Sequence, residues 1–261
     1  MGGGVHLAVS SLLAIFLAAW PSPPHGVKAK LRVAIDAGHG APGNDGNHGC
    51  YCQREQVHTL EVAQHLAFVL SALGPFEVTL LRRPGEEPQY RERLARAQAF
   101  GAQVVVSLHS DARGEASAWQ HGDGGEVCYR SDDAPGFSVL WSGEGDRALQ
   151  ASRARLGRVV GRHLREAGFV AYSGEDYGDL YMHDTEELAG WVDARPQGKR
   201  VFFLYGSSIP TIIVETHHAR DPSEVARWGE LRTVDAFALA MAAALLEGRG
   251  APLGRSGPPS D

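Results

Sequence analysis

Hydrophobic and polar positions along the chain alternate between two periods. Leu31, Val33 and Ile35 form a short apolar run that reads as a buried strand, ending in Asp36-Ala37-Gly38-His39-Gly40. A glycine-rich loop over residues 41–53 follows, long for a strand-to-helix connection and of the kind that carries function. Residues 54–73 then repeat apolar side chains at helical spacing (Val57, Leu60, Leu66, Val69, Leu70) until Gly74-Pro75 stops them. Residues 76–81 predict a second strand, 90–100 a second helix rich in Arg and Ala, and 104–108 a third strand, VVVSL. So continuous an apolar run belongs at the centre of a parallel sheet. Strand and helix in alternation predict right-handed βαβ units. The expected fold class is α/β, a three-layer sandwich of the phosphorylase/hydrolase-like kind with a mostly parallel twisted central sheet flanked by helices.

Further along, residues 125–130 predict a strand and 147–167 an amphipathic helix with many arginines. Residues 170–200 are polar, carry Tyr172, Tyr177, Tyr181, His183, Asp184 and Trp191, and show no clear period. A groove lining, a lid and a decorated surface insertion all fit them. Residues 201–205 and 211–214 predict two strands, the second delivering Glu215 at its carboxyl end, and 224–247 a closing helix.

The ends differ in kind. Residues 5–20 are apolar, shorter than the ~20 residues a bilayer span needs, and run into Pro21-Ser22-Pro23-Pro24. This resembles a secretory signal, so residues 1–29 are expected to be signal and linker, and the protein to be exported. Residues 30–248 make the catalytic domain, and 249–261, rich in Gly, Pro and Ser, a disordered tail. No later stretch is long and apolar enough to span a bilayer. The whole chain has 261 residues, 43% of them hydrophobic, enough for one well-filled domain. Its net charge of −6 and lack of a basic patch argue against a nucleic-acid partner. The three cysteines are Cys50, Cys52 and Cys128. In an oxidising compartment one of the first two pairs with Cys128, a disulfide being favoured over a structural zinc.

Candidate chemistry gathers at the strand ends, where α/β sheets bind ligands. His39 lies between two glycines after the first strand, His109 follows the third, Glu55 opens the first helix, and Glu215 follows the last strand. Asp36 is placed to steady the His39 ring or the metal site. Singly, these are a turn histidine or a carboxylate favoured by a helix dipole. Together they suit a zinc hydrolase: two neutral imidazoles and a carboxylate as ligands, an open fourth position for water, and a second carboxylate to move protons. Glu215 fits that last role. None of the serines sits in a nucleophile-elbow context.

In this order the motifs resemble the zinc-dependent N-acetylmuramoyl-L-alanine amidases of the Amidase_3 type. That family's Asp-Pro-Gly-His-Gly is here Asp36-Ala37-Gly38-His39-Gly40. Its Asp- and Gly-containing loop is matched by Asp45, Gly46 and Gly49, and its helix-opening Glu by Glu55. Its Thr-Arg falls on Leu81-Arg82, its helical Arg on Arg93, and its Ser-Ile-His-Ala-Asn-Ala on Ser107-Leu108-His109-Ser110-Asp111-Ala112. Its last strand matches Pro210-Thr211-Ile212-Ile213-Val214-Glu215. The resemblance implies one Zn2+ per chain on His39, Glu55 and His109, with Glu215 catalytic. It implies hydrolysis of the amide between N-acetylmuramic acid and L-alanine, with peptidoglycan or muropeptide as partner, in the periplasm or outside the cell. A monomer is expected, and an activator is left open. Thr216-His217-His218-Ala219 departs from the family's Gly-Phe, so His217 or His218 either binds substrate, stabilises the oxyanion or is structural. Some members cover the zinc with an inhibitory helix, for which residues 186–194 are the candidate. The rival functions are a related zinc amidohydrolase or carboxypeptidase acting on a free peptide or acyl amino acid, and an inactive wall-binding module. A His-x-x-Glu near His39, expected of a carboxypeptidase, is absent.

Overall fold

The computed structural model describes residues 29–120 and 125–249. The expected signal segment up to residue 28 and the expected tail from residue 250 lie outside the described residues.

The first half follows the periodicity closely. Strand β1 (Leu31–Ala37) leads through the glycine loop to helix α1 (Glu55–Leu73), then β2 (Phe76–Leu80), α2 (Tyr90–Phe100) and β3 (Val104–Asp111). Strand β9 (Thr211–His218) pairs with β3, so β2, β1, β3 and β9 form a parallel block. The two faces of the block use alternate residues, as the pleat demands. Val33, Ile35, Val104, Val106, Leu108, Ile212 and Val214 face α1, α3 (Arg147–Glu166) and α6 (Leu231–Gly248). Ala34 and Val105 face the other way, onto Leu94 and Ala97 of α2 and Phe203 of α4 (Phe202–Tyr205). These are the three expected layers. Leu66 of α1 is fully buried in the larger core, where a leucine contributes roughly 1.5–3 kcal/mol by its burial.

The second half was harder to foresee. Strands β4 (Ser117–Gln120) and β5 (Val127–Arg130) form a separate antiparallel hairpin, so the strand expected at 125–130 exists but lies outside the main sheet. The main sheet is completed by β6 (Ser138–Trp141), β8 (Gly190–Asp193) and β7 (Tyr181–His183), in the order β2-β1-β3-β9-β6-β8-β7. β6 runs antiparallel to β9, β8 parallel to β6, and β7 antiparallel to β8. The sheet is therefore mixed, and parallel throughout the half that carries the candidate ligands.

Several expectations need correction. Residues 201–205, read as a strand, form α4; a five-residue apolar run carries no period that separates a strand from a buried helical turn. β9 continues to His218, so Glu215 lies inside the strand instead of at its end. The closing helix is two helices, α5 (Pro222–Trp228) and α6, parted at Gly229-Glu230. Asp221 caps α5 by accepting the Ser223 and Glu224 N–H groups at 2.7 and 3.2 Å. Residues 186–194 form no inhibitory helix: they are a turn and β8, with buried Glu187 paired to Arg165 at 2.7 Å. Cys52 bonds Cys128, while Cys50 is a free, buried thiol. Among the described residues no helix is long and apolar enough to cross a membrane.

Candidate metal centre

β1 and β3 are neighbours, with Ala37 opposite Leu108, so His39, just past the end of β1, and His109, within β3 and not after it, emerge side by side. His39 sits there with a φ of 61°, left-handed backbone that a non-glycine residue enters at a cost. Gly38 is required by space. A Cβ on it would lie 2.4 Å from the Nε2 and Cε1 atoms of His109. Gly46 fills the same role on the loop, where a Cβ would come 2.6 Å from Glu55 Oε2 and 2.8 Å from His39 Cδ2.

The loop also prepares α1. No side chain caps this helix. Its first N–H groups are taken by the loop backbone instead, Glu55 N–H by Asn47 O at 2.9 Å and Gln56 N–H by Asp45 O at 3.1 Å. The Glu55 carboxylate is thereby left for the site. Oε1 lies 3.0 Å from His109 Nδ1 and accepts the Ser110 N–H at 3.0 Å. Oε2 lies 3.1 Å from His39 Nε2 and accepts from Asn47 N–H at 3.0 Å and Asn47 Nδ2 at 2.8 Å. One candidate ligand atom from each of His39, Glu55 and His109 falls within 4.8 Å of the others. Burial opposes ionisation of Glu55, but hydrogen bonds from His109 and His39 hold its carboxyl well below the usual range. His39 Nδ1 donates to Asn44 Oδ1 at 2.6 Å, which fixes the ring with Nε2 turned toward Glu55.

Asp36 does not touch the His39 ring. It is fully buried and binds Arg93 Nη1 at 3.0 Å and Ser107 Oγ at 2.7 Å. Arg93 in turn donates to the carbonyls of Ala37, at 2.8 Å, and of His39. Arg82 donates to the carbonyls of Ala37 at 2.9 Å and Gln56 at 2.8 Å, tying the β1 turn to α1. The acid after β1 thus acts on the turn's backbone, through an arginine more than fifty residues away in sequence, and leaves the ring to Asn44.

Glu215 stands opposite His109 in the β3–β9 register. Its Oε2 is buried with no hydrogen-bond partner among the described residues. Burial, reinforced by the charge of Asp111, pushes its carboxyl up to about 8. Asp111 Oδ2 accepts from Arg113 Nε at 3.0 Å and from Tyr177 OH at 3.1 Å. A carboxylate with a free oxygen, raised toward neutrality, is equipped to accept a proton and release it again.

His217 and His218 take the structural role. Both are buried. Thr216 Oγ1 donates to His109 O at 2.8 Å, so it accepts from His58 Nε2 at 3.2 Å and from His217 Nδ1 at 3.0 Å. His217 also stacks on Trp228 at 5.5 Å between centroids. His218 Nδ1 accepts the Arg113 N–H at 3.2 Å. Sequence reasoning missed Asn44 and Asn47, although two amides in the functional loop were a signal. Asp111, Tyr177 and Thr216 stood in segments it singled out, but without a role, because their partners come from other elements.

Two imidazoles and a carboxylate gathered at the carboxyl ends of a parallel block, beside a second carboxylate, define a candidate metallohydrolase centre. The model of the Amidase_3 family, N-acetylmuramoyl-L-alanine amidase, matches residues 33–247, and the chain belongs to that family. It is 27% identical over 203 residues to the probable N-acetylmuramoyl-L-alanine amidase AmiB of Haemophilus influenzae, over 72% of this chain and 45% of that protein. The chain thus spans less than half the length of this curated relative. In the solved structures it is similar to the amidase AmiC2 of Nostoc punctiforme (22% identity, TM-score 0.59, 84% of this chain and 97% of that one). It is also similar to Ami1 of Mycobacterium smegmatis (19% identity, TM-score 0.63, 85% and 98%). At these identities the likeness is one of fold.

Proposed function

We propose that the chain is an exported, zinc-dependent amidase that hydrolyses the amide between N-acetylmuramic acid and the L-alanine of peptidoglycan stem peptides, its catalytic domain spanning residues 30–248. The observation that carries this reading is the convergence of His39, Glu55 and His109 beside the unpartnered oxygen of Glu215. Family membership supports the substrate.

The residues fit zinc. An N2O donor set is typical of catalytic zinc, the His39 tautomer is set by Asn44, and Gly38 and Gly46 give the ligands room. Bound by His39, Glu55 and His109, zinc would supply Lewis-acid polarisation of the amide carbonyl and acidify a water toward a pKa of about 7. Glu215 takes the proton from the attacking water at Oε2. It then returns that proton to the departing L-alanine nitrogen as the C–N bond breaks, so the carboxylate ends as it began. Asp111, held by Arg113 and Tyr177, raises the basicity of Glu215 for the first transfer.

Mass spectrometry of products from defined muropeptides tests the reading. The zinc-loaded protein is expected to release an intact stem peptide with a free L-alanine amine. Glu215→Gln is expected to retain stoichiometric zinc and lose roughly 10²–10⁴-fold in turnover. Cleavage inside the peptide would move the protein to the related-peptidase reading, and near-full activity in Glu215→Gln would remove Glu215 as the base.

A further inference from the structure

The metal-centre loop closes on itself beside one candidate ligand. Asn47 and Glu55 share three hydrogen bonds: the Glu55 N–H donates to Asn47 O at 2.9 Å, and Glu55 Oε2 accepts the Asn47 N–H at 3.0 Å and Asn47 Nδ2 at 2.8 Å. Between them residues 48–54 form a turn, closed by Gly49 N–H on Gln53 O and Cys52 N–H on Gly49 O, both at 2.9 Å. Cys52 stands in that turn with a φ of 57°, left-handed backbone that a non-glycine residue enters at a cost. The direction of the Glu55 carboxylate thus depends on what holds residues 48–54 in place.

The β4–β5 hairpin holds them. Trp119 and Cys128 are directly opposed in its register, so both side chains leave the same face. That face grips three successive residues of the turn. Trp119 Nε1 donates to Cys50 O at 2.6 Å, the Trp119 ring lies 5.5 Å from that of Tyr51, and Cys128 is bonded to Cys52. The chain just past β9 adds a backbone contact, Cys50 N–H to Ala219 O at 2.8 Å. The hairpin is a two-stranded sheet of its own, a unit that is marginally stable alone. Noncovalent contacts by themselves make it a yielding clamp, and the bond between Cys52 and Cys128, 76 residues apart in sequence, makes it a fixed one.

We infer that the Cys52–Cys128 disulfide positions Glu55 for the metal, so that tight zinc binding requires the oxidised protein. The inference rests on the zinc reading of the site. The sulfurs touch neither zinc nor substrate and act through the backbone of the turn. The bond forms by exchange with a disulfide oxidant of an oxidising compartment: the two protein thiols and R–S–S–R give the protein disulfide and two R–SH. Cys52 is half-buried and open to such exchange. Cys50 is fully buried, and burial pushes its thiol up to about 11, which keeps it from competing. In a reducing compartment the chain holds zinc weakly, and its centre is completed after export.

Chelator competition for zinc, run on the folded full chain well below its melting temperature, provides the test. The oxidised protein is compared with the same protein reduced by a water-soluble phosphine, and with Cys52→Ser/Cys128→Ser, in which Cys50 is the one thiol left. Reduction and the double substitution are each expected to weaken zinc about 10–100-fold, the range for a lost supporting contact to a ligand. The phosphine is expected to change nothing in the double variant, which has no bond to break. Oxidised glutathione is expected to restore the original Kd of the reduced parent. Should the double variant fail to fold, this cycle of reduction and reoxidation on the parent carries the test alone. A melting temperature that falls on reduction while the zinc Kd stays the same makes the bond a staple for the fold, overturns the inference and leaves the zinc reading standing. If the oxidised protein binds no zinc, the zinc reading fails and takes the inference with it.

Discussion

The two halves of the main sheet divide the work. In the parallel block, β2-β1-β3-β9, the candidate ligands and the candidate base come from the turn after β1, the carboxyl-terminal halves of β3 and β9 and a helix start, and the supporting contacts run along the backbone: Arg93 and Arg82 on β1 carbonyls, the loop on α1. In the mixed edge, β6-β8-β7, the notable side chains are aromatic and cationic (Tyr177, Tyr181, Trp191, Arg195), and none is a candidate ligand. The difference teaches that a parallel block, with its strand ends in one row, is suited to holding chemistry. A mixed edge of short strands is suited to shaping what may reach it. Lesions in the first half should therefore fall on the metal. Lesions in the second should spare the metal.

The largest expected effect is Glu55→Ala. It removes one ligand and leaves the donors of Asn47 and Ser110 unanswered. Zinc measured after gel filtration should fall from one per chain to near none, and turnover with it; retained stoichiometric zinc would break the assignment. A smaller effect is expected of Thr216→Val. The hydroxyl fixes the His109 backbone and is itself held by two imidazole donors, and such supporting partners are worth about 10–100-fold in metal affinity. Chelator competition should show a loss in that range, with Thr216→Ser restoring it. Equal affinity in all three proteins would reduce the trio to packing.

The smallest effect is on stability against pH. Burial pushes the His58 imidazole down to about 4 and that of His217 well below its ordinary value. The unfolded chain binds these protons near pH 6.5 while the folded one resists them. Their contribution is thus intact above about pH 6.5 and is lost as pH falls toward 4, by up to about 1.4 kcal/mol per pH unit for each group. Other carboxylates and imidazoles titrate over the same window, so the readout is a difference. The fall in Tm from pH 7 to pH 5 should be shallower in His58→Gln, which keeps a donor for Thr216 and cannot titrate. Identical slopes would mean that His58 is protonated in the folded state.

The same division marks what could be read in advance. His39, Glu55 and His109 were legible because each sits where a local pattern breaks: His39 between two glycines after an apolar run, Glu55 at a helix start, His109 just past the apolar run of β3. Asp36 was singled out, but that it supports the turn through Arg93 and not the His39 ring could not be read, because Arg93 is contributed by another element. The stretch 170–200 stayed open because three- and four-residue strands carry too few alternations to register, and their pairing is entirely long-range. His217 and His218 were singled out as substrate contacts or structural groups. Only the packing of α1 and Trp228 against β9 selects between these.

By itself, then, the sequence determined β1 to β3 with their helices and brought His39, Glu55, His109 and Glu215 forward as candidates, since hydrophobic period and glycine placement are local properties. Tertiary structure decided the rest: α4 as a helix, the continuation of β9 past Glu215, Cys52 over Cys50 as the partner of Cys128, and the pairing of β6, β8 and β7. Each of these turns on which distant segment lies alongside, and short apolar or polar runs are compatible with more than one neighbour until the core closes around them.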